Sequence, residues 1–154
     1  MKYMIGLPIL GLIVASLVAS AAGAGQPRPA DGQSGALHVT KACPTSTMQG
    51  QAGGYCTIVS ANIPQIPTNS TVTYDQAAGI PAGQLDSNVV LNDGQGSRAL
   101  GRCNLNLSTG TGICTFSDGT GNFAGFHARV NVSAIDSVNY KWDGYYSFED
   151  DLLD

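Results

Sequence analysis

The sequence predicts an all-β domain in which eight short antiparallel strands close into a small, disulfide-stapled barrel. Three observations carry this. Apolar and polar residues alternate with a period of two, and no stretch after residue 36 shows a helical period. Turn clusters ("PTNS", "GIPAG", "NDGQG", "STGTG", "SDGTG") interrupt the alternation about every ten positions. Four cysteines, Cys43, Cys56, Cys103 and Cys114, follow an export-type N-terminus. Eight antiparallel strands in roughly 110 residues make a sandwich or a barrel, and only the barrel removes exposed sheet edges.

Residues 1–24 begin with Lys2, continue as the apolar run "IGLPILGLIVASLVASAAGA", and end in Ala22-Gly23-Ala24. That is the pattern of a cleaved secretory signal, diluted with Gly, Ser and Pro8 relative to a membrane anchor. A secreted or periplasmic protein follows, with no membrane attachment after cleavage. Residues 25–36, "GQPRPADGQSGA", are polar and rich in Gly and Pro, and read as a flexible lead-in. The barrel is expected over 37–148, with strands at 37–42, 55–62, 71–75, 86–92, 97–107, 112–118, 124–134 and 139–148. Residues 149–154 form an acidic tail. Four of the eleven acids lie there, so the domain body is near neutral and offers no basic patch to nucleic acid.

The cysteines suggest two local pairs. "CNLNLSTGTGIC" is a hairpin centred between Ser108 and Thr109, which sets Cys103 opposite Cys114; Cys43 and Cys56 form the other pair. A metal site is not indicated, because neither pair has zinc spacing and both histidines, His38 and His127, lie far from them in sequence. No cofactor motif occurs.

Alternation assigns the faces. Phe126, Ala128, Val130 and Val132 point inward, as do Trp142, Tyr146 and Phe148, which leaves His127 and Arg129 outside. Cys103, Leu105, Leu107, Cys114 and Phe116 share the inner face. At "LDSNVVLNDGQGSRALGRC", pairing Asn92 with Ser97 places Asp86, Asn88 and Val90 on the face of Ala99, Gly101 and Cys103. An acid and an amide then face small residues inside the barrel, which marks a candidate pocket. Tyr74 and Trp142 are candidates to line the same cavity. The expected ligand is small and apolar.

The strings "GYCTIVSANIP", "LDSNVVLNDG", "ALGRCNLNL" and "GICTFSDGTGNFAGF", followed by "WDGYYSF", resemble secreted bacterial proteins with an allene oxide cyclase barrel-like domain. The "GTG-x-F" turn is shared with the dirigent barrels. The resemblance covers about residues 37–148. It implies an eight-stranded barrel around an apolar cavity, assembly as a homotrimer, and isomerase- or dirigent-type steering of an apolar intermediate through cyclisation or coupling. The cyclases are associated with a cavity glutamate, whereas Glu149 is the first glutamate of this sequence and lies in the tail. Binding without turnover is therefore the expected function. A hydrolase is not supported, since no "G-x-S-x-G" elbow occurs. A glycosidase needs two facing carboxylates, and Asp86 alone is a candidate. The turn "SDGTG" has neither calcium-loop nor phosphate-loop spacing and reads as a chain reversal.

Overall fold

A computed structural model describes residues 32–79 and 83–149; the expected signal segment and most of the lead-in and tail lie outside them. Eight antiparallel strands close in chain order: β1 (Ser34–Ala42), β2 (Tyr55–Ala61), β3 (Thr71–Tyr74), β4 (Gln84–Asn92), β5 (Arg98–Asn106), β6 (Thr111–Thr120), β7 (Phe126–Ala134) and β8 (Asn139–Phe148). Closure is made by β1 and β8, which pair from Ser34↔Ser147 to Ala42↔Asn139. Ser34, Gly35 and Ala36, read from sequence as the end of the lead-in, belong to β1. Their backbone groups pair with β8 there, and that gain outweighs their turn-forming composition.

Each strand alternates between the interior and solvent, as a closed sheet with one apolar face must. Phe126, Ala128, Val130, Val132, Trp142, Tyr146 and Phe148 are all buried, as the alternation predicts. Cys103 pairs directly with Cys114 in the β5–β6 ladder. Disulfides join Cys103 to Cys114 and Cys43 to Cys56, with Cα separations of 4.1 and 4.3 Å. Each closes a short loop, worth about 3 kcal/mol in the chain-entropy account.

The β4–β5 register differs from the sequence reading by one residue. Asn92 pairs with Arg98, not Ser97, and Asn88 pairs with Arg102. The turn spans Asp93–Ser97 because the buried Asp93 carboxylate organises it. Its Oδ1 accepts from the backbone N–H of Gln95 (2.7 Å) and of Ser97 (3.0 Å), and Oδ2 accepts from Asn122 Nδ2 (3.3 Å). Burial penalises the Asp93 charge, but these bonds outweigh it and hold the carboxyl below its usual range. Because side chains alternate, the one-residue shift turns Leu85, Ser87, Val89 and Leu91 inward and sends Asp86 and Asn88 out.

The two ends of the barrel differ. At the end holding the β4–β5 turn, the glycine-rich segment after β6 forms a short 3-10 turn, Gly121–Phe123. Gly121 takes φ 61°, and a side chain there would collide with Ser97 Oγ. The turn drops Phe123, fully buried, onto Phe126 (5.5 Å between ring centroids), which in turn meets Phe116 and Phe148. The expected reversal at "SDGTG" is thus displaced: β6 runs on through Ser117–Thr120, paired with β5 and with Asp118 exposed, and "GNF" turns the chain and plugs one end. Phe123→Ala should destabilise the barrel by about 3–5 kcal/mol, read as a lower urea midpoint. An unchanged midpoint would show that this ring does not plug the barrel.

Candidate functional site

The opposite end is built from the C-terminal ends of β1, β3, β5 and β7 and the starts of β2, β4, β6 and β8. It contains a feature the sequence analysis did not single out. In β1, Leu37, Val39 and Lys41 occupy successive inward positions and lead into buried Cys43, so the strand aims Lys41 into the barrel. Lys41 is 1 % exposed. The extra residue of β2 opposite it, Val59, makes a bulge: Thr40 pairs with Ser60 while Lys41 pairs with Ile58. Bulges of this kind re-aim side chains locally.

Lys41 Nζ donates to Tyr74 Oη at 2.5 Å. It also stands over the Trp142 ring at 4.9 Å and the Tyr74 ring at 5.3 Å. Among the described residues, no carboxylate lies within ion-pair distance of it. Burial therefore dominates and lowers its pKa to about 7. The attraction of a buried ring for an ammonium is worth on the order of 2 kcal/mol, less than the several kcal/mol of removing a charge from water. Burial, reinforced by Tyr140, pushes the Tyr74 phenol well above its ordinary range, so Tyr74 stays neutral. Tyr140 Oη accepts from Gln49 Nε2 at 2.9 Å.

Lys41, Tyr74 and Tyr140 line a crevice whose other walls include Leu85, Leu105 and Val132. It encloses about 440 Å³ of unfilled space, solvent at its mouth included, most of it too narrow for a water molecule, so the crevice is a narrow slot and not a hollow lumen. Its described lining contains no carboxylate, and Lys41 is its one cationic side chain.

The sequence candidates distribute as follows. Tyr74 is at the site, bonded to Lys41. Trp142 is fully buried and meets Lys41 through its ring face, behind the crevice wall. Its Nε1 is buried with no acceptor among the described residues. Asp86 and Asn88 are not inside, correcting the expectation that they point into a pocket. Asp86 forms a two-pronged ion pair on the outer surface, Oδ1 and Oδ2 each 2.8 Å from Arg102 Nε and Nη2. The physical reason is the wider Asp93–Ser97 turn, which sets the register that faces Ser87 inward instead. His127 and Arg129 lie apart from the crevice, on the outer face of β7. His38 is also outside, with Nδ1 2.9 Å from Asp143 Oδ1. The signal for Lys41 was present in "LHVTKAC": continuing the Leu37, Val39 alternation by one step turns the lysine inward.

Both cysteine pairs are oxidised, and no helix among the described residues is long and apolar enough to cross a membrane. No group of three or more His, Cys, Asp or Glu among the described residues has the geometry to hold a metal ion. Comparison with known protein families and with characterised proteins finds no match.

The Lys41 environment fixes a pH dependence. Below about pH 7 the lysine is protonated in both folded and unfolded chains. Between about 7 and the ordinary value of 10.5 only the unfolded chain holds that proton. Stability must then rise with pH across this window, by roughly 1 kcal/mol per pH unit from this group. Lys41→Met should flatten that rise. Urea unfolding of both proteins at pH 6.5, 8 and 9.5 checks it, and parallel curves would mean that Lys41 titrates normally.

Proposed function

We propose that the protein binds one small, largely apolar molecule in the crevice at the Cys43–Cys56 end of the barrel, outside the cytoplasm. One observation supports this reading above the others: a buried lysine, whose one hydrogen-bond partner among the described residues is a phenol, stands in the wall of an apolar slot. A side chain of this kind is poorly accounted for as packing. Buried lysines are costly, and an apolar residue of the same length fills the same volume. A slot with apolar walls and one polar pair suits a ligand with an apolar body and a single oxygen. The oxygen accepts from Lys41 or Tyr74, and the body lies against Leu85, Leu105 and Val132.

The size of the slot sets the size of the ligand. As it stands the slot is too narrow for a ring, so a thin chain is the ligand it suits, and entry has to part the segments carrying Gln49 and Leu107. The export-type N-terminus and the two disulfides support action in an oxidising compartment.

The resemblance to allene oxide cyclase-like and dirigent barrels supports a second reading, in which the slot steers a cyclisation or coupling. The Lys41–Tyr74 pair favours it to the extent that it can exchange a proton. The absence of a carboxylate from the described lining favours binding over this reading.

Trp142, the single tryptophan of the chain, reports on the site because Lys41 lies over its ring. Linear alcohols of six to eight carbons should change its fluorescence saturably. Val132→Phe, which fills the slot, should weaken that binding at least tenfold while leaving the far-UV spectrum intact. Equal affinity in the two proteins, or no saturable response in either, would overturn the reading.

A further inference from the structure

We propose that Lys41 captures small apolar aldehydes or ketones as a reversible imine. The inference rests on the preceding reading that the crevice admits a small apolar molecule, and it names the chemical class that the crevice would retain. Several features converge on it. The Lys41 amine is buried against apolar and aromatic groups, and burial brings its pKa down to about 7, so that about half of it is unprotonated and nucleophilic at neutral pH. The groups that face it from the neighbouring strands are neutral: Ile58 from β2, the Tyr74 phenol from β3, and Tyr140 and Trp142 from β8. No described carboxylate within ion-pair reach holds it as an ammonium.

A hydroxyl stands where the reaction needs one. Tyr74 Oη lies 2.5 Å from Nζ, within reach of an oxygen borne by a carbon attached to that nitrogen. The amine adds to the carbonyl carbon, forming the C–N bond and a carbinolamine. Loss of the carbonyl oxygen as water, with the two hydrogens originally on nitrogen, leaves the C=N double bond. Tyr74 donates its proton to the departing oxygen and recovers one from nitrogen, so the phenol is unchanged at the end. No oxidant, reductant or metal enters the balance. The reverse step, hydrolysis, uses the same groups and makes capture reversible.

The remainder of the chain supplies an internal control. The described residues contain one other lysine, Lys141, which is half-exposed and lies 3.1 Å from Asp143 on the outer surface. An ordinary lysine on the same fold can therefore be compared within one molecule.

The test uses the oxidised protein with hexanal and sodium cyanoborohydride at pH 7, where the imine is trapped as a stable secondary amine. Peptide mapping by mass spectrometry then locates the added hexyl group. Lys41 should be labelled at least tenfold faster than Lys141. Tyr74→Phe should slow Lys41 labelling severalfold without changing Lys141. Lys41→Arg should abolish the fast label. Labelling of Lys141 at the rate of Lys41, or none at Lys41, would overturn the proposal. 1-Hexanol, which cannot form an imine, separates the two readings. Saturable quenching of Trp142 by hexanol with no label on Lys41 leaves the binding site standing and removes the imine. No response to hexanol and no label on Lys41 removes both. The wild-type measurement decides the matter even if a variant fails to fold.

Discussion

Pairing of β1 with β8 is the constraint on which the rest of the structure depends. Once that ladder closes, the sheet has no edge, and every second side chain of every strand is committed to an interior of fixed width. Register then decides chemistry. A residue cannot swing from one face to the other without slipping its whole strand, so one residue of shift in β4 exchanges the inward set Leu85, Ser87, Val89, Leu91 for Asp86, Asn88 and Val90. The same logic keeps Lys41 inside. It is in β1, bonded to β8 on one side and to β2 on the other, and its neighbours Leu37 and Val39 hold the strand in place.

The interior so enclosed is not uniform. One end is filled by aromatic rings, with Phe126 in contact with Phe116, Phe123 and Phe148 at centroid separations of 5.2 to 6.1 Å. Aromatic pairs at such distances add to the burial of their own large surfaces. The other end replaces the phenylalanine cluster with Lys41 and the phenols of Tyr74 and Tyr140, and leaves a slot. The Cys43–Cys56 bridge lies at that end, where packing is thinner, and a covalent tie stabilises the loop between β1 and β2 without needing core volume. The phenylalanine packing is concentrated at the plug, and the unfilled space lies at the slot.

Much of this was legible in the sequence. The strand count, the antiparallel order, the hairpin that joins Cys103 to Cys114 and the inward faces of β7 and β8 all follow from alternation and turn chemistry. Besides the start of β1 at Ser34, which its turn-forming composition conceals, two features are hidden for different reasons. Asp86 and Asn88 were placed inside by assigning the β4–β5 turn one residue too short; the Asp93 side chain, which captures two backbone N–H groups, widens it, and that bonding is invisible in a string of turn-forming letters. The alternation Leu85, Ser87, Val89, Leu91 gives the correct face when read without the turn. Lys41 was passed over because residue type was weighed above position. A lysine is usually solvated, yet its place in the period of two was plain.

The electrostatics of the two polar settings differ in kind. Outside, Asp86–Arg102 and His38–Asp143 are paired in water, where attraction is screened and their separation hardly matters to the core. Inside, the Lys41–Tyr74 pair has no screening and, among the described residues, no counter-charge. Above about pH 7 the favoured state is therefore a neutral donor–acceptor pair, and any molecule entering the slot competes with that one hydrogen bond. A ligand oxygen that replaces it restores what it breaks, whereas a purely apolar ligand leaves two buried polar groups unsatisfied, at a cost of about 1–3 kcal/mol each. On the proposed binding role, discrimination would follow from the polar pair and not from the apolar walls, since the walls carry no other group that tells one thin apolar molecule from another.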